Sequence, residues 1–308
     1  MAAKIYLDSP VFRSHHLSEK LGKNVYYKMD CYQPSGSFKV RGMEQICRYY
    51  IAKGYNRFIA SSGGNAGYSL AYVGKQLGAE VEVIVPETTP VRMAEKIRSL
   101  GAKVEVQGKE WSEAHTYALT LSEKLQIPYI SPFDHPKLWE GHSSIIDECA
   151  ATMKAPDKIV VAVGGGGLLA GIFEGMKRNN WQSQVVAAET VGAASFAASL
   201  QAGKLTEIDR IDTIATSLGA REVAEETFRR AAEFDVSSFV TDDRKALAAC
   251  QQFLNEYNVL VEPACGAALS YGYDESVMPA PDETILIIVC GGICMDLTQF
   301  RHYQEMFS

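Results

Sequence analysis

From residue 58 onward the chain alternates short strand-like runs with amphipathic segments, and that alternation leaves few folds open. Runs at 58–60, 81–85, 103–106 and 128–130 are separated by segments at 66–77, 90–100 and 111–125 whose apolar residues recur at helical spacing. A second series starts with a strand at 159–163 and continues through a helix at 168–177 and a strand at 185–188. It closes with a strand at 284–289 and a helix after Gly292. Ahead of both, Val25-Tyr26-Tyr27-Lys28-Met29 reads as a further strand, rich in β-branched and aromatic side chains. Strand–helix–strand units bury both faces of their strands, so the pattern predicts an α/β protein with parallel sheets flanked by helices. Ligands of such sheets sit at the carboxyl ends of strands, which singles out the turns that leave a strand and enter a helix.

Three of those turns have unusual chemistry. Pro34-Ser35-Gly36-Ser37-Phe38-Lys39 leads into a helix predicted over 40–53, with Val40, Met43, Ile46, Cys47, Tyr50 and Ile51 on one face. Pro34 and Gly36 shape the turn, and Ser35 or Ser37 is expected to cap the helix. A lysine at the positive end of a helix dipole is disfavoured as a cation, and its free amine suits imine chemistry. A lysine taken alone is a surface residue, so the other turns must justify this reading. Ser61-Ser62-Gly63-Gly64-Asn65-Ala66-Gly67 again joins a strand to a helix; its small residues and backbone N–H groups suit a carboxylate, and Asn65 adds an amide. By itself it reads equally well as an ordinary strand–helix connection. Gly164-Gly165-Gly166-Gly167-Leu168 is different, because no packing requirement calls for four consecutive glycines and each costs backbone entropy. Their bare N–H groups form a phosphate cradle at a helix start.

Taken in order, these motifs resemble the fold-type II, tryptophan synthase β-like family of pyridoxal-phosphate (PLP) enzymes, and within it the serine/threonine dehydratase branch. The likeness extends to Trp139-Glu140-Gly141-His142-Ser143-Ser144, Val261-Glu262-Pro263-Ala264-Cys265-Gly266-Ala267-Ala268 and Val289-Cys290-Gly291-Gly292. It implies a large PLP-binding domain, 1–37 plus 138–308, with a small domain, 38–137, inserted in it. It implies that Lys39 holds PLP as an imine and, once displaced by the substrate amine, removes the Cα proton. Phe38, Asn65, Gly164, Gly165, Gly166, Gly167, Leu168 and Cys290 are then expected to bind the cofactor. Asn65 would reach the ring hydroxyl, the 164–168 loop the phosphate, and Cys290 the pyridine nitrogen. Ser62, Gly63, Gly64 and Asn65 are expected to hold the substrate carboxylate. A thiol stabilises a pyridinium less than a carboxylate does, which favours elimination over a long-lived carbanion.

The implied reaction is β-elimination of L-serine and L-threonine to a 2-oxo acid and ammonia, with the cofactor phosphate protonating the departing hydroxyl. Glu189 and Ser195 are expected to bind a monovalent cation such as K⁺, a hard ion suited to oxygen ligands. In related serine racemases a serine stands two residues before the loop asparagine; here that position is Gly63. The chain departs from the pattern at Ile293-Cys294, where the family usually carries a polar pair containing asparagine. A homodimer is the family's habit.

Two other readings account for part of the chain. Gly165-x-Gly167-x-x-Ala170, with Glu189 further on, formally matches a dinucleotide fingerprint, but a nicotinamide oxidoreductase leaves the Lys39 and Asn65 turns without purpose. A non-catalytic PLP-binding homologue would keep the imine and release no ammonia. A net charge of −7 with no basic stripe argues against a nucleic-acid surface. Seven scattered cysteines without CxxC or zinc spacing point to a reducing cytoplasm, and Cys250 and Cys265 read as small buried residues. The N-terminus has no signal-peptide core, and the longest uncharged run, 159–173, is too short to span a membrane. A soluble cytoplasmic enzyme is expected. The six histidines show no metal spacing and read as structural or surface residues.

Overall fold

A computed structural model describes residues 3–274 and 282–307. Nine strands occur among them: β1 Val11–Arg13, β2 Asn24–Lys28, β3 Arg57–Ala60, β4 Glu80–Val85, β5 Lys103–Val106, β6 Lys158–Ala162, β7 Gln184–Thr190, β8 Val236–Thr241 and β9 Thr284–Ile288. The chain divides into two compact units, Met1–Leu7 with Gln33–His142 and Asp8–Tyr32 with Ser143–Ser308. The segment 38–137 lies within the first unit. Residues 1–7 join it there because Gln33 and Glu44 tie down their backbone: Leu7 N–H donates to Gln33 Oε1 at 2.9 Å and Ile5 N–H to Glu44 Oε2 at 2.8 Å.

The first unit is built on a parallel sheet ordered β3-β4-β5. The expected strand at 128–130 reduces to a single bridge beside β3: Ile59 N–H donates to Pro128 O and Ile130 N–H donates to Ile59 O, and pairing stops there. On one side of this sheet the helix Trp111–Leu125 lies close, because the residues it presents are small. Ala114 and Ala118, one turn apart, pack with Ile59, Ile84 and Ile127.

The second unit carries a six-stranded sheet ordered β1-β2-β9-β6-β7-β8. Its strands are parallel except for β1, which runs antiparallel to β2 at the edge. The parallel expectation therefore needs that correction. Neither β1 nor β8 is legible as a strand: β1 has three residues, and β8 reads Val-Ser-Ser-Phe-Val-Thr with only its last residue buried. The central strands β6 and β9 bury four of their five residues each, as strands covered on both faces must.

Candidate active site

In the first unit, Gly36 takes φ +69° to turn the chain, and its N–H donates to Gln33 O at 2.6 Å. The helix Lys39–Ile51 starts at the lysine, with Phe38 as N-cap and no side-chain cap. Neither serine caps it, contrary to the sequence expectation. Both instead face Ser69, on the helix Asn65–Leu77: Ser35 Oγ lies 2.8 Å and Ser37 Oγ 3.5 Å from Ser69 Oγ. All three are buried, so a hydroxyl cluster outweighs a local cap and joins the lysine turn to the helix that opens at Asn65.

Lys39 Nζ donates to Pro132 O at 2.5 Å and stands 5.0 Å from the centre of the Phe38 ring. That ring meets His142 edge to face at 4.8 Å. His142 is fully buried, and neither ring nitrogen has a hydrogen-bond partner among the described residues. Burial first, then the nearby cations Lys39 and Arg41, hold its pKa well below the usual 6.5, so the imidazole is neutral and adds no charge beside the lysine. Its motif was singled out by the sequence, but nothing local shows that the ring would be driven inside.

The second turn leaves β3 at Ala60 and enters the helix at Asn65 with Gly64 as N-cap and no side-chain cap. A glycine N-cap brings no side chain over the first N–H groups of the helix, which leaves room for an anion at its start. Asn65 is buried to within 7% of full cover, and Gly64 N–H donates to Ser62 Oγ at 3.4 Å. Gly67 lets the helix approach Ser62 so closely that a methyl group there would overlap its carbonyl oxygen. A Cβ on Gly63 would lie 2.5 Å from Thr89 Cγ2 and 2.7 Å from Thr89 Oγ1. Thr89 is a site-lining residue that motif reading missed. It lies in the loop after β4, and the strand-end rule would have flagged that loop.

In the second unit, β6 runs into the glycine turn and the helix Gly167–Asn179. Gly166 is its N-cap at φ +88°, again with no side-chain cap. The turn's carbonyls are engaged on their own side: Ala224 N–H donates to Gly165 O at 3.1 Å and Thr227 Oγ1 to Gly166 O at 3.2 Å. A helix of 13 residues opened by glycines presents a start suited to a phosphate, and Leu168, in its first turn, is buried.

Cys290 follows β9 and is buried, its Sγ 3.3 Å from Cys265 Sγ. Cys265 accepts from Gly291 N–H at 3.0 Å and donates to Gly291 O at 2.8 Å; burial drives its pKa up, so it stays a thiol. Glu189, in β7, is fully buried. Its two carboxylate oxygens accept Phe196 N–H at 2.9 Å and Ala197 N–H at 2.8 Å, at the start of the helix Ser195–Ala202. Burial raises it to about 7 even though these N–H groups pull it down. Ser195 Oγ is buried with no hydrogen-bond partner among the described residues.

The family model for pyridoxal-phosphate dependent enzymes matches residues 3–291. The chain belongs to that family. It is 39% identical to the human L-serine dehydratase/L-threonine deaminase over 315 residues, which span 99% of this chain and 96% of that protein. It is 40% identical to the mouse serine dehydratase-like protein over 294 residues, 92% of this chain and 89% of the relative. Among solved structures, the L-serine ammonia-lyase of the fungus Rhizomucor miehei superposes with a TM-score of 0.94 at 31% identity, covering 99% of this chain and 100% of the other. Processed threonine deaminase isoform 2 from Solanum lycopersicum gives 0.91 at 29%, covering 98% and 84%. The fold is therefore that of the fold-type II PLP enzymes, and the family's cofactor is PLP. Each unit offers groups of the kind such a cofactor needs: an amine and a buried amide in the first, a glycine-opened helix start and a buried thiol in the second. No helix among the described residues is long and apolar enough to cross a membrane.

Proposed function

We propose that this protein is a PLP-dependent L-serine ammonia-lyase that also accepts L-threonine and releases a 2-oxo acid and ammonia. The observation that carries the reading is the bonding of the lysine turn to the Asn65 helix through Ser35 and Ser69, in a chain of this family. When bound, PLP supplies an electron sink for the Cα–H bond of an amino acid. Lys39 Nζ would anchor the cofactor and would serve as the base for the Cα proton. Phe38 packs beside the lysine arm, and neutral His142 behind Phe38 leaves the amine's proton affinity undisturbed by a third cation. Ser62, Gly63, Gly64 and Asn65 would orient the substrate by its carboxylate, and Asn65 would also serve the ring hydroxyl. Residues 164–168 would hold the phosphate, and Cys290 would serve the pyridine nitrogen.

The test is an assay of 2-oxo acid and ammonia release from L-serine, L-threonine and D-serine by the PLP-loaded protein. Release from the L-hydroxy amino acids is expected. A cofactor band in the visible spectrum without ammonia would identify a binding homologue, and no such band would reopen the nicotinamide reading.

K⁺ bound at Glu189 and Ser195 belongs to the same reading, and burial of the carboxylate makes it testable without turnover. The Glu189 pKa is raised from 4.5 to about 7. The stability this contributes is therefore full below about 4.5 and lost as pH rises through 7, a cost on the order of 3 kcal/mol once ionised. A cation beside the carboxylate offsets that cost. K⁺ is expected to raise Tm above its value in tetramethylammonium by a few degrees at about pH 8, and by much less at about pH 5. Equal Tm in the two salts at both pH values would remove the cation from this account.

A further inference from the structure

Behind the asparagine turn, three side chains from three segments close a triangle. Ser61 Oγ lies 2.7 Å from Tyr129 Oη and 3.3 Å from His115 Nδ1, and His115 Nδ1 lies 2.9 Å from Tyr129 Oη. Ser61 is fully buried and is the residue between β3 and the turn Ser62-Gly63-Gly64-Asn65. Tyr129 stands beside Ile59 at the isolated bridge, and His115 rides on the helix Trp111–Leu125. Trp111 stacks on the imidazole at 4.7 Å with the planes 8° apart, setting the ring's orientation.

We propose that Ser61, Tyr129 and His115 are positioning residues for the substrate-carboxylate turn, and that they hold it correctly in only one arrangement of their protons. The proposal rests on the ammonia-lyase reading. Counting donors and acceptors gives the reason. With His115 neutral and its hydrogen on Nε2, Nδ1 accepts from the Tyr129 hydroxyl, and Tyr129 Oη accepts from Ser61. Each group then has a partner, and the first residue of the turn is pinned. Protonation places a hydrogen on Nδ1 as well. Nδ1 then donates to Tyr129 Oη, Tyr129 must redirect its own hydrogen to Ser61, and the Ser61 hydroxyl is left as a fully buried donor without an acceptor.

The groups facing the imidazole are Ser61 from the end of β3, Tyr129 from the 128–130 segment and Trp111 from its own helix, and none is charged near neutrality. Burial is what lowers the His115 pKa below the usual 6.5, and burial also pushes Tyr129 up to about 12, so Tyr129 remains a donor throughout. The working arrangement therefore prevails at neutral and alkaline pH and is lost on the acid side.

The experiment compares Tyr129→Phe, Ser61→Ala and His115→Asn in the PLP-loaded protein. Tyr129→Phe and Ser61→Ala are expected to raise KM for L-serine about five- to tenfold at about pH 8, as for one lost hydrogen bond, with kcat within about twofold and the visible cofactor band unchanged. Their KM relative to the unmodified protein should fall toward one at acid pH, where the unmodified network also fails. His115→Asn, whose amide oxygen can accept from Tyr129 without being protonated, should keep the unmodified KM at about pH 8 and resist its rise in acid. A KM ratio that stays constant with pH, or a loss confined to kcat, overturns the proposal. Glycine binding, measured by calorimetry, requires the carboxylate turn but no leaving group. Tyr129→Phe and Ser61→Ala proteins that bind glycine as the unmodified protein does at about pH 8 also overturn it. An unmodified protein that binds glycine yet releases no 2-oxo acid from serine would instead refute the ammonia-lyase reading, with the network still tested on glycine.

Discussion

Lys39→Ala is expected to lower 2-oxo acid release from L-serine by at least about 10³-fold and to abolish the visible band of the cofactor linkage. The size of the effect follows from two duties vested in one atom. In the proposed reading Nζ is both the covalent anchor and the base for the Cα proton, so alanine removes them together. Removing Nζ should do little to the fold, because alanine still opens the helix Lys39–Ile51 and Phe38 keeps its contact with His142. Absorbance and a coupled assay for the oxo acid, read with a thermal melt, check all three points. A variant retaining both band and turnover would move the chemistry to a different lysine.

The second large effect concerns Gly63. Racemisation requires a proton acceptor on one face of Cα and a donor on the other, and glycine cannot be that donor. The unmodified protein is accordingly expected to eliminate with little or no D-serine formed, and chiral chromatography of residual serine measures this directly. Adding the missing hydroxyl is not a one-residue change. A Cβ at position 63 would lie 2.5 Å from Thr89 Cγ2, 2.7 Å from Oγ1 and 3.2 Å from Cβ. Threonine is branched at Cβ, so rotating χ1 substitutes methyl for hydroxyl and leaves much of the same space filled. Gly63→Ser alone should therefore displace the turn and cost about ten- to a hundredfold in kcat/KM, mostly through KM. Gly63→Ser with Thr89→Ala should recover most of that loss and raise the ratio of racemisation to elimination by about tenfold or more. Appreciable D-serine from the unmodified protein would refute this role for Gly63. A single variant as active as the parent would refute the steric part.

The turns that carry the chemistry were legible because each is a local event. A strand, a glycine or serine turn and a helix start fit within a window of about fifteen residues, and hydrophobic period and turn chemistry act over that range. Lys39 opens its helix, Asn65 opens the next, and the 164–167 glycines lead into a third, as the alternation implies. Where the local signal is weak the reading failed. Val11–Arg13 is too short to show a period, Val236–Thr241 alternates poorly, and 128–130 looks like a strand yet pairs through one bridge. Strand pairing is decided by neighbours distant in sequence, which propensity does not contain.

The same division runs through the site. Residue types and their order along the chain were sufficient to single out the Lys39, Asn65 and 164–168 turns as candidates, because such sites depend on backbone conformation and helix ends. Only the tertiary structure decided that Ser35 and Ser37 bond to Ser69 rather than cap their own helix, that Thr89 fills the space above Gly63, and that burial keeps His142 neutral behind Phe38. It alone brought His115 and Tyr129 together behind Ser61. Each of these results depends on which segments meet and on how much water their meeting excludes. Burial and side-chain approach are properties of the packed chain, and they set both the strength of a hydrogen bond and the charge a side chain can carry.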